Sequence, residues 1–278
     1  VPPQHLRGVA DVVEHRATDH DAALAHRVAA ELEGGDPPEV AAASAQRPEQ
    51  VGVVLGVGGE DMIVDWLENM DVGAWPGTYY ARSFGPEGQR TQIIMLDTRF
   101  FRSPLTATDE YGVTGKERYI QSSDPNQDML GNDQWPWREN QLQKPADLRL
   151  IVSSIQVLPT DGHGWESWSR LPAEQQRLYS LISETGANGV VFVSGDRHAS
   201  FLYRSETALP YPAYELTASS LNVSFQDTTD EMDSAQVGEG FSQDNYGAIG
   251  IDWAAGSVDL EIKNAAGETV RQTTAQFR

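Results

Sequence analysis

The chain has 278 residues, enough for one large domain or two small ones, and its seven tryptophans favour a packed core over disorder. A net charge of −21 excludes nucleic-acid binding by charge, because such a surface repels a phosphate backbone. No apolar run is long enough to span a bilayer as a helix, and the absence of cysteine excludes disulfides and thiolate ligands. Positive charge is also unevenly placed. Lys116, Lys144 and Lys263 are the only lysines, and residues 205–262 carry eleven Asp and Glu with no Lys, Arg or His. Such a stretch reads first as a solvated acidic face. Carboxylate oxygens also suit hard divalent cations, so an acidic calcium-binding surface module is an alternative reading. The chain opens at Val1 without a charged-then-apolar leader, so any signal peptide is expected to be absent from this sequence or already removed.

Residues 1–62 form an atypical segment with no Phe, Tyr, Trp, Ile, Lys or Asn, yet with four of the six histidines: His5, His15, His20 and His26. Leu24, Val28 and Leu32 recur at helical spacing and predict a helix over about 21–33, stopped by Gly34 and Gly35. "VGVVLGVGGE" predicts a short strand and a glycine turn. A segment without aromatics builds a poor core, so 1–62 is expected to be peripheral and 63–278 to form the main body. "EDMIVDWLENM" predicts an amphipathic helix with Ile63, Trp66 and Leu67 on one face. "RTQIIMLDTRF" reads as a buried strand, Ile93 to Leu96, that ends in polar residues. Residues 103–131 are polar and rich in Pro, Gly, Ser and Asp, which predicts a long loop. "NDQWPWRENQLQ" reads as a helix with Asn132 or Asp133 as N-cap and Pro136 in its first turn.

"ADLRLIVSSIQVLP" is a second buried strand. "LPAEQQRLYSLISETGANG" is a helix opened by Pro172 and closed by Gly186, with Leu178, Leu181 and Ile182 inward. "VVFVS" follows as a third strand, so 148–194 reads strand, helix, strand, the pattern of a parallel crossover. After it the chain turns to β structure in "YPAYELTASSLN", "YGAIGIDW", "SVDLEI" and "TVRQTTAQF", the last two joined by a hairpin at 264–269.

The chemistry concentrates at predicted strand ends, where ligands gather in open α/β sheets. In "VVFVSGDRHAS", Asp196 and His198 stand just beyond a strand, with Gly195 letting the chain turn. A carboxylate oxygen and an imidazole nitrogen are good donors for Fe, Mn or Zn, although a lone D-x-H also fits a surface turn. Asp97 and Arg99 end the first strand; Arg99 or Arg102 could hold a phosphate bidentately, or an Asp–Arg pair could fix the loop. His163 lies in the Gly-flanked "DGHGWESWSR" near Glu166, where it either lines a pocket or faces solvent. "DPNQDMLGND" starts like a calcium loop, but Met129 replaces the required Gly and Trp135 the required Glu, so that reading fails. There is no Walker A sequence, no dinucleotide-binding G-x-G-x-x-G and no G-x-S-x-G.

Taken in order, "MLDTRFFRSPL", "MLGNDQWPWRENQL", "ADLRLIVSSIQV", "GHGWESWSRLPAEQQRLYSLI", "GVVFVSGDRH", "YPAYELTASSLN" and "NYGAIGID" resemble the PhoD-type (alkaline phosphatase D) branch of metallophosphoesterases. The resemblance implies an α/β fold with a core of two packed mixed sheets flanked by helices. It implies a metal-dependent phosphomonoesterase or phosphodiesterase, periplasmic or secreted, acting on small phosphate esters. It implies that Asp196 and His198 are the metal ligands and catalytic pair; Arg99 and Arg197 are the expected substrate contacts beside them. Fe and Ca are the metals it favours, with Mn or Zn as alternatives. The sequence departs from the family in lacking its strand-end Gly-Asp motif and its W-D-D-H or W-D-N-H stretch; "EQVGVVLGVGGED" stands where the second is expected. That departure leaves a second reading open, a catalytically inactive remnant of the same fold.

Overall fold

A computed structural model describes the backbone of residues 51–55 and residues 77–160, 162–224, 231 and 233–277. The chain divides between Ala43 and Ser44 into two units, of which the described residues all belong to the second. The helices expected over 21–33 and around Ile63 lie outside the described residues.

Two sheets organise the second unit. The six-stranded sheet runs in the order β2 (Tyr80–Phe84), β3 (Thr91–Met95), β4 (Leu148–Val152), β5 (Val190–Ser194), β7 (Ala213–Thr217) and β6 (Phe201–Ser205). Its four central strands are parallel, and β2 and β6 close the edges antiparallel. The second sheet is antiparallel throughout, in the order β1 (Val51–Leu55), β8 (Asn245–Asp252), β9 (Ser257–Asn264) and β10 (Thr269–Gln276). Thus the strand expected in "VGVVLGVGGE" exists, and it pairs with β8 as part of the second sheet.

Side-chain alternation along the strands explains the layering. Leu148, Leu150, Val191, Val193 and Leu216 face the antiparallel sheet and meet Ile249, Ile251, Val258, Leu260 and Ile262 in one dry core. Their neighbours Ile151 and Phe192 face the other way, toward helix α1 (Gly131–Leu142) and helix α2 (Pro172–Glu184). Leu178 and Ile182 of α2 are fully buried there, as the 3.6-residue period requires. β4, α2 and β5 form the expected parallel crossover, with Arg149 opposite Val190.

Three local readings are corrected. Helix α1 starts at Gly131, so neither Asn132 nor Asp133 caps it; Asp128 Oδ1 accepts from the amides of Leu130 (3.0 Å) and Gly131 (2.8 Å) instead. Pro136 therefore sits in the second turn, where it cannot donate to the carbonyl four residues earlier. Gly131 enters the helix at φ 74, and a Cβ there would lie 2.7 Å from the Phe101 ring, so only glycine fits. Strands β2 and β6 were not expected: "YARSF" and "FLYRS" mix charged and apolar residues without clean alternation, as edge strands do.

Candidate metal centre and phosphate site

The carboxyl ends of β3, β4, β5 and β7 open on one side of the sheet and bring the candidate residues together. At the end of β3, Asp97 is 5% exposed and works as a local brace. Its Oδ1 accepts from the amides of Arg99 and Phe100 (2.9 Å each), and its Oδ2 from the amide (2.9 Å) and hydroxyl (3.1 Å) of Thr78. Burial alone would raise its carboxyl, but these donors win and hold it below the ordinary range. Gln134 of α1 clamps the same residue, accepting from the Asp97 amide and donating to its carbonyl, 2.9 Å each. Asp97 is thus built into the scaffold, and Arg99 is the group it presents.

Arg99 reaches across to the end of β5. Its Nη2 lies 3.0 Å from Asp196 Oδ1 and its Nη1 2.5 Å from Glu166 Oε2, while Arg102 Nη1 approaches the same Glu166 oxygen at 2.9 Å. Partial burial tends to raise the Glu166 carboxyl, and the two guanidiniums more than offset this and lower it. The Asp196 carboxyl goes the other way: burial raises it, with Glu166 adding to the rise and Arg99, His198 and Arg197 opposing it. Glu166, seen in the sequence only as a neighbour of His163, is therefore part of the site.

The turn after β5 departs from the expected mechanism. Gly195 has no positive φ, and a Cβ there would make only ordinary contacts with Ser219 and Ser154. The left-handed residues are Asp196 (φ 70) and His198 (φ 50) themselves, a conformation non-glycine residues adopt at a cost. His198 Nδ1 lies 3.2 Å from the carbonyl oxygen of Val223. A carbonyl only accepts, so Nδ1 is the donor in this contact. That is the usual arrangement of a metal-bound histidine, whose second nitrogen is held by a carbonyl or carboxylate.

Arg197 does not join them at the surface. Its side chain is 5% exposed; Nη1 donates to Gln156 Oε1 (2.9 Å) and Nη2 to Glu231. The expected phosphate contact at Arg197 is corrected on this ground: the guanidinium is turned into the protein and committed to internal partners. His163 is neither a pocket wall nor a solvent-facing loop residue. It is 2% exposed, Nδ1 accepts from the Trp165 amide (3.1 Å), and Nε2 donates to Gln156 Oε1 (2.9 Å). Burial, with the charges of Arg197 and Arg170, pushes its ring well below the ordinary value and keeps it neutral. Gln156 also donates to Tyr203 and Thr217, 3.0 Å each, which makes it the hub of this network. Sequence reasoning missed it because nothing in "SSIQVLP" distinguishes a buried glutamine from a loop one.

Residues 67–269 match the PhoD-like phosphatase family. The chain belongs to that family. Consistent with this membership, it is 26% identical to alkaline phosphatase D of Bacillus subtilis (strain 168) over 170 residues, which are 58% of this chain and 26% of that protein. It therefore spans about a quarter of that relative's length. A solved structure described as the structure of PhoD shares the fold, with a TM-score of 0.50 at 17% identity, over 72% of this chain and 42% of the other.

The donors fit a cation in kind, an oxygen from Asp196 and a nitrogen from His198. In number they fall short: among the described residues no three His, Asp or Glu side chains converge to hold a metal ion, and protein-built sites usually have about three or four donors. Among the same residues, no helix is long and apolar enough to cross a membrane.

Proposed function

We propose that this chain is the metal-dependent phosphoric ester hydrolase, or a piece of one, that its family membership suggests, acting on small phosphate monoesters or diesters outside the cytoplasm. The observation that carries the reading is the turn at the carboxyl end of β5, which carries both the Asp196 carboxylate, contacted by Arg99, and the His198 ring, whose Nδ1 meets the Val223 carbonyl. Asp196 and His198 are the ligands, and Fe or Ca suits them by family, with Mn or Zn as alternatives. A cation bound there would neutralise phosphate charge and lower the pKa of a bound water. Arg99 is half exposed and exchanges its two carboxylate partners for phosphate oxygens, which its planar fork matches equally well. Glu166 and Arg102 hold Arg99 at the rim until then.

The two-donor count favours a second reading, a remnant of the same fold that binds phosphate esters without turning them over. One experiment separates the two. Metal content of the purified chain is measured by mass spectrometry, and hydrolysis of p-nitrophenyl phosphate and its bis ester is followed with Fe, Ca, Mn or Zn added. Bound metal and chelator-sensitive turnover, both lost in Asp196→Ala/His198→Ala, support the hydrolase. No retained metal and no turnover with any of the four would leave the remnant.

A further inference from the structure

We propose that the chain forms a two-fold dimer in which strand β10 pairs antiparallel with β10 of a second copy, so that the four-stranded antiparallel sheet continues across both copies. What points to this partner is an open edge whose outward backbone groups and side chains complement themselves.

An edge strand carries backbone donors and acceptors without a ladder partner, and such edges are ordinarily short, charged or covered. Edges β1 and β2 have five residues each, and the five-residue edge β6 is covered. Residues 235–241 run along it and take up the Arg204 amide and the Ser200 and Leu202 carbonyls. Edge β10 has eight residues, no proline and one charge, Arg271, whose Nε is turned to the Glu239 carbonyl (3.1 Å). Its one irregularity lies at the hairpin end, between Thr269 and Arg271.

The ladder fixes which groups point outward. The Phe277 amide donates to the Gly256 carbonyl (2.9 Å), on the β9 side. Backbone direction alternates along an antiparallel pair, so Thr273 and Ala275, opposite Leu260 and Val258, also bond β9. The amides and carbonyls of Gln272, Thr274 and Gln276 then point out of the free edge, and among the described residues no backbone partner meets them. A two-fold axis at Thr274 sets Thr274 opposite itself and Gln272 opposite Gln276 of the second copy. Every outward amide then meets an outward carbonyl. The side chains of these three residues are exposed, and a Thr–Thr pair is a favourable cross-strand contact. Arg271 comes opposite Phe277 and not opposite its own copy. The strand carries no carboxylate in a chain of net charge −21, so a second copy meets little repulsion there. Asp259 and Glu261 stand on β9, two strand spacings or about 10 Å from the second copy's strand.

The test uses the purified chain, which has no cysteine of its own. Sedimentation equilibrium from about 1 µM to about 1 mM is expected to show a reversible monomer–dimer equilibrium, the weak association of a small interface. Thr274→Pro removes the outward amide at the axis from both copies. An edge strand tolerates proline where its N–H faces solvent, so this variant should fold and dimerise at least about 10-fold more weakly. Its circular dichroism and melting temperature check the fold. Cross-linking reads the register. The two Thr274 Cα atoms would lie about 5.5 Å apart, within disulfide reach, while the two Gln272 positions would be displaced by about 13 Å along the strand. Thr274→Cys should therefore oxidise to a covalent dimer, and Gln272→Cys should not. A wild-type chain that stays monomeric up to about 1 mM overturns the inference and leaves the edge to another segment or a different protein. So does a folded Thr274→Pro variant that dimerises like wild type, or Gln272→Cys that cross-links as fast as Thr274→Cys. If Thr274→Pro does not fold, the two cysteine variants decide.

Discussion

Glu215 offers the most informative perturbation of the scaffold. It stands on the helix side of β7 and is fully enclosed. Its oxygens accept from the amides of Val157 (2.9 and 3.1 Å) and Leu158 (2.6 Å) and from the Ser194 hydroxyl (2.6 Å). Burial pushes its carboxyl up to about 7, against the pull of those donors. Glu215→Gln keeps one acceptor oxygen and places an NH₂ group where the second oxygen met an amide. A buried donor left facing a donor costs about 1–3 kcal/mol. Titration acts in the other direction. The folded carboxyl binds its proton more tightly than the unfolded one, so the wild type loses stability as pH rises from about 4.5 to about 7. That displacement corresponds to about 3 kcal/mol, and glutamine has no counterpart to it. The variant should therefore be less stable than wild type near about pH 5 and draw level with it by about pH 8. Urea unfolding followed by tryptophan fluorescence at each pH measures the gap; Trp168 is fully buried and reports loss of the core. A gap that stays constant or widens with rising pH refutes the reasoning. It would mean that Glu215 is ionised throughout and that its donors outweigh its burial.

Two further outcomes are expected. Asp97→Ala orphans the amides of Thr78, Arg99 and Phe100, at about 1–3 kcal/mol for each that stays buried, and frees Arg99 to move. Because the Asp97 carboxyl is lowered, the stability it contributes is present above its ordinary value of 3.8 and is lost as pH falls through the folded value. Acid unfolding of Asp97→Asn should accordingly lack that part of the acid limb; an unchanged acid profile would argue against the brace. Gly131→Ala should lower stability by about 2–4 kcal/mol, from the left-handed backbone and the clash with Phe101, read as a fall in melting temperature. An alanine variant melting with wild type would show that Phe101 moves aside freely.

What the sequence disclosed follows from where its signals are local. Buried parallel strands such as "LRLIV" and "VVFVS" are apolar runs bounded by polar residues, and each stands where it was expected. Helix α2 carries its own start and stop, Pro172 and Gly186. The position of Asp196 and His198 just beyond β5 was legible because a strand end is a place as well as a pattern. The buried contacts around that turn were not. Arg197 looks like a surface arginine until Glu231, which is 34 residues away, and Gln156, which is 41 residues away, come into contact with it. The fit of Gln134 around Asp97 likewise depends on a partner 37 residues away. Inward or outward direction at a turn is set by tertiary contacts, and for that reason the inward side chain of Arg197 was not legible in the sequence.

The common opening of β3, β4, β5 and β7 on one side has an evolutionary corollary. Strand interiors carry the packing of the two sheets, and the segments that leave them carry the candidate site. Groups at the exits that brace no backbone can then change one crossover at a time with little effect on the sandwich beneath. A lineage could change what such a surface holds by rewriting a few exits while the architecture stays the same.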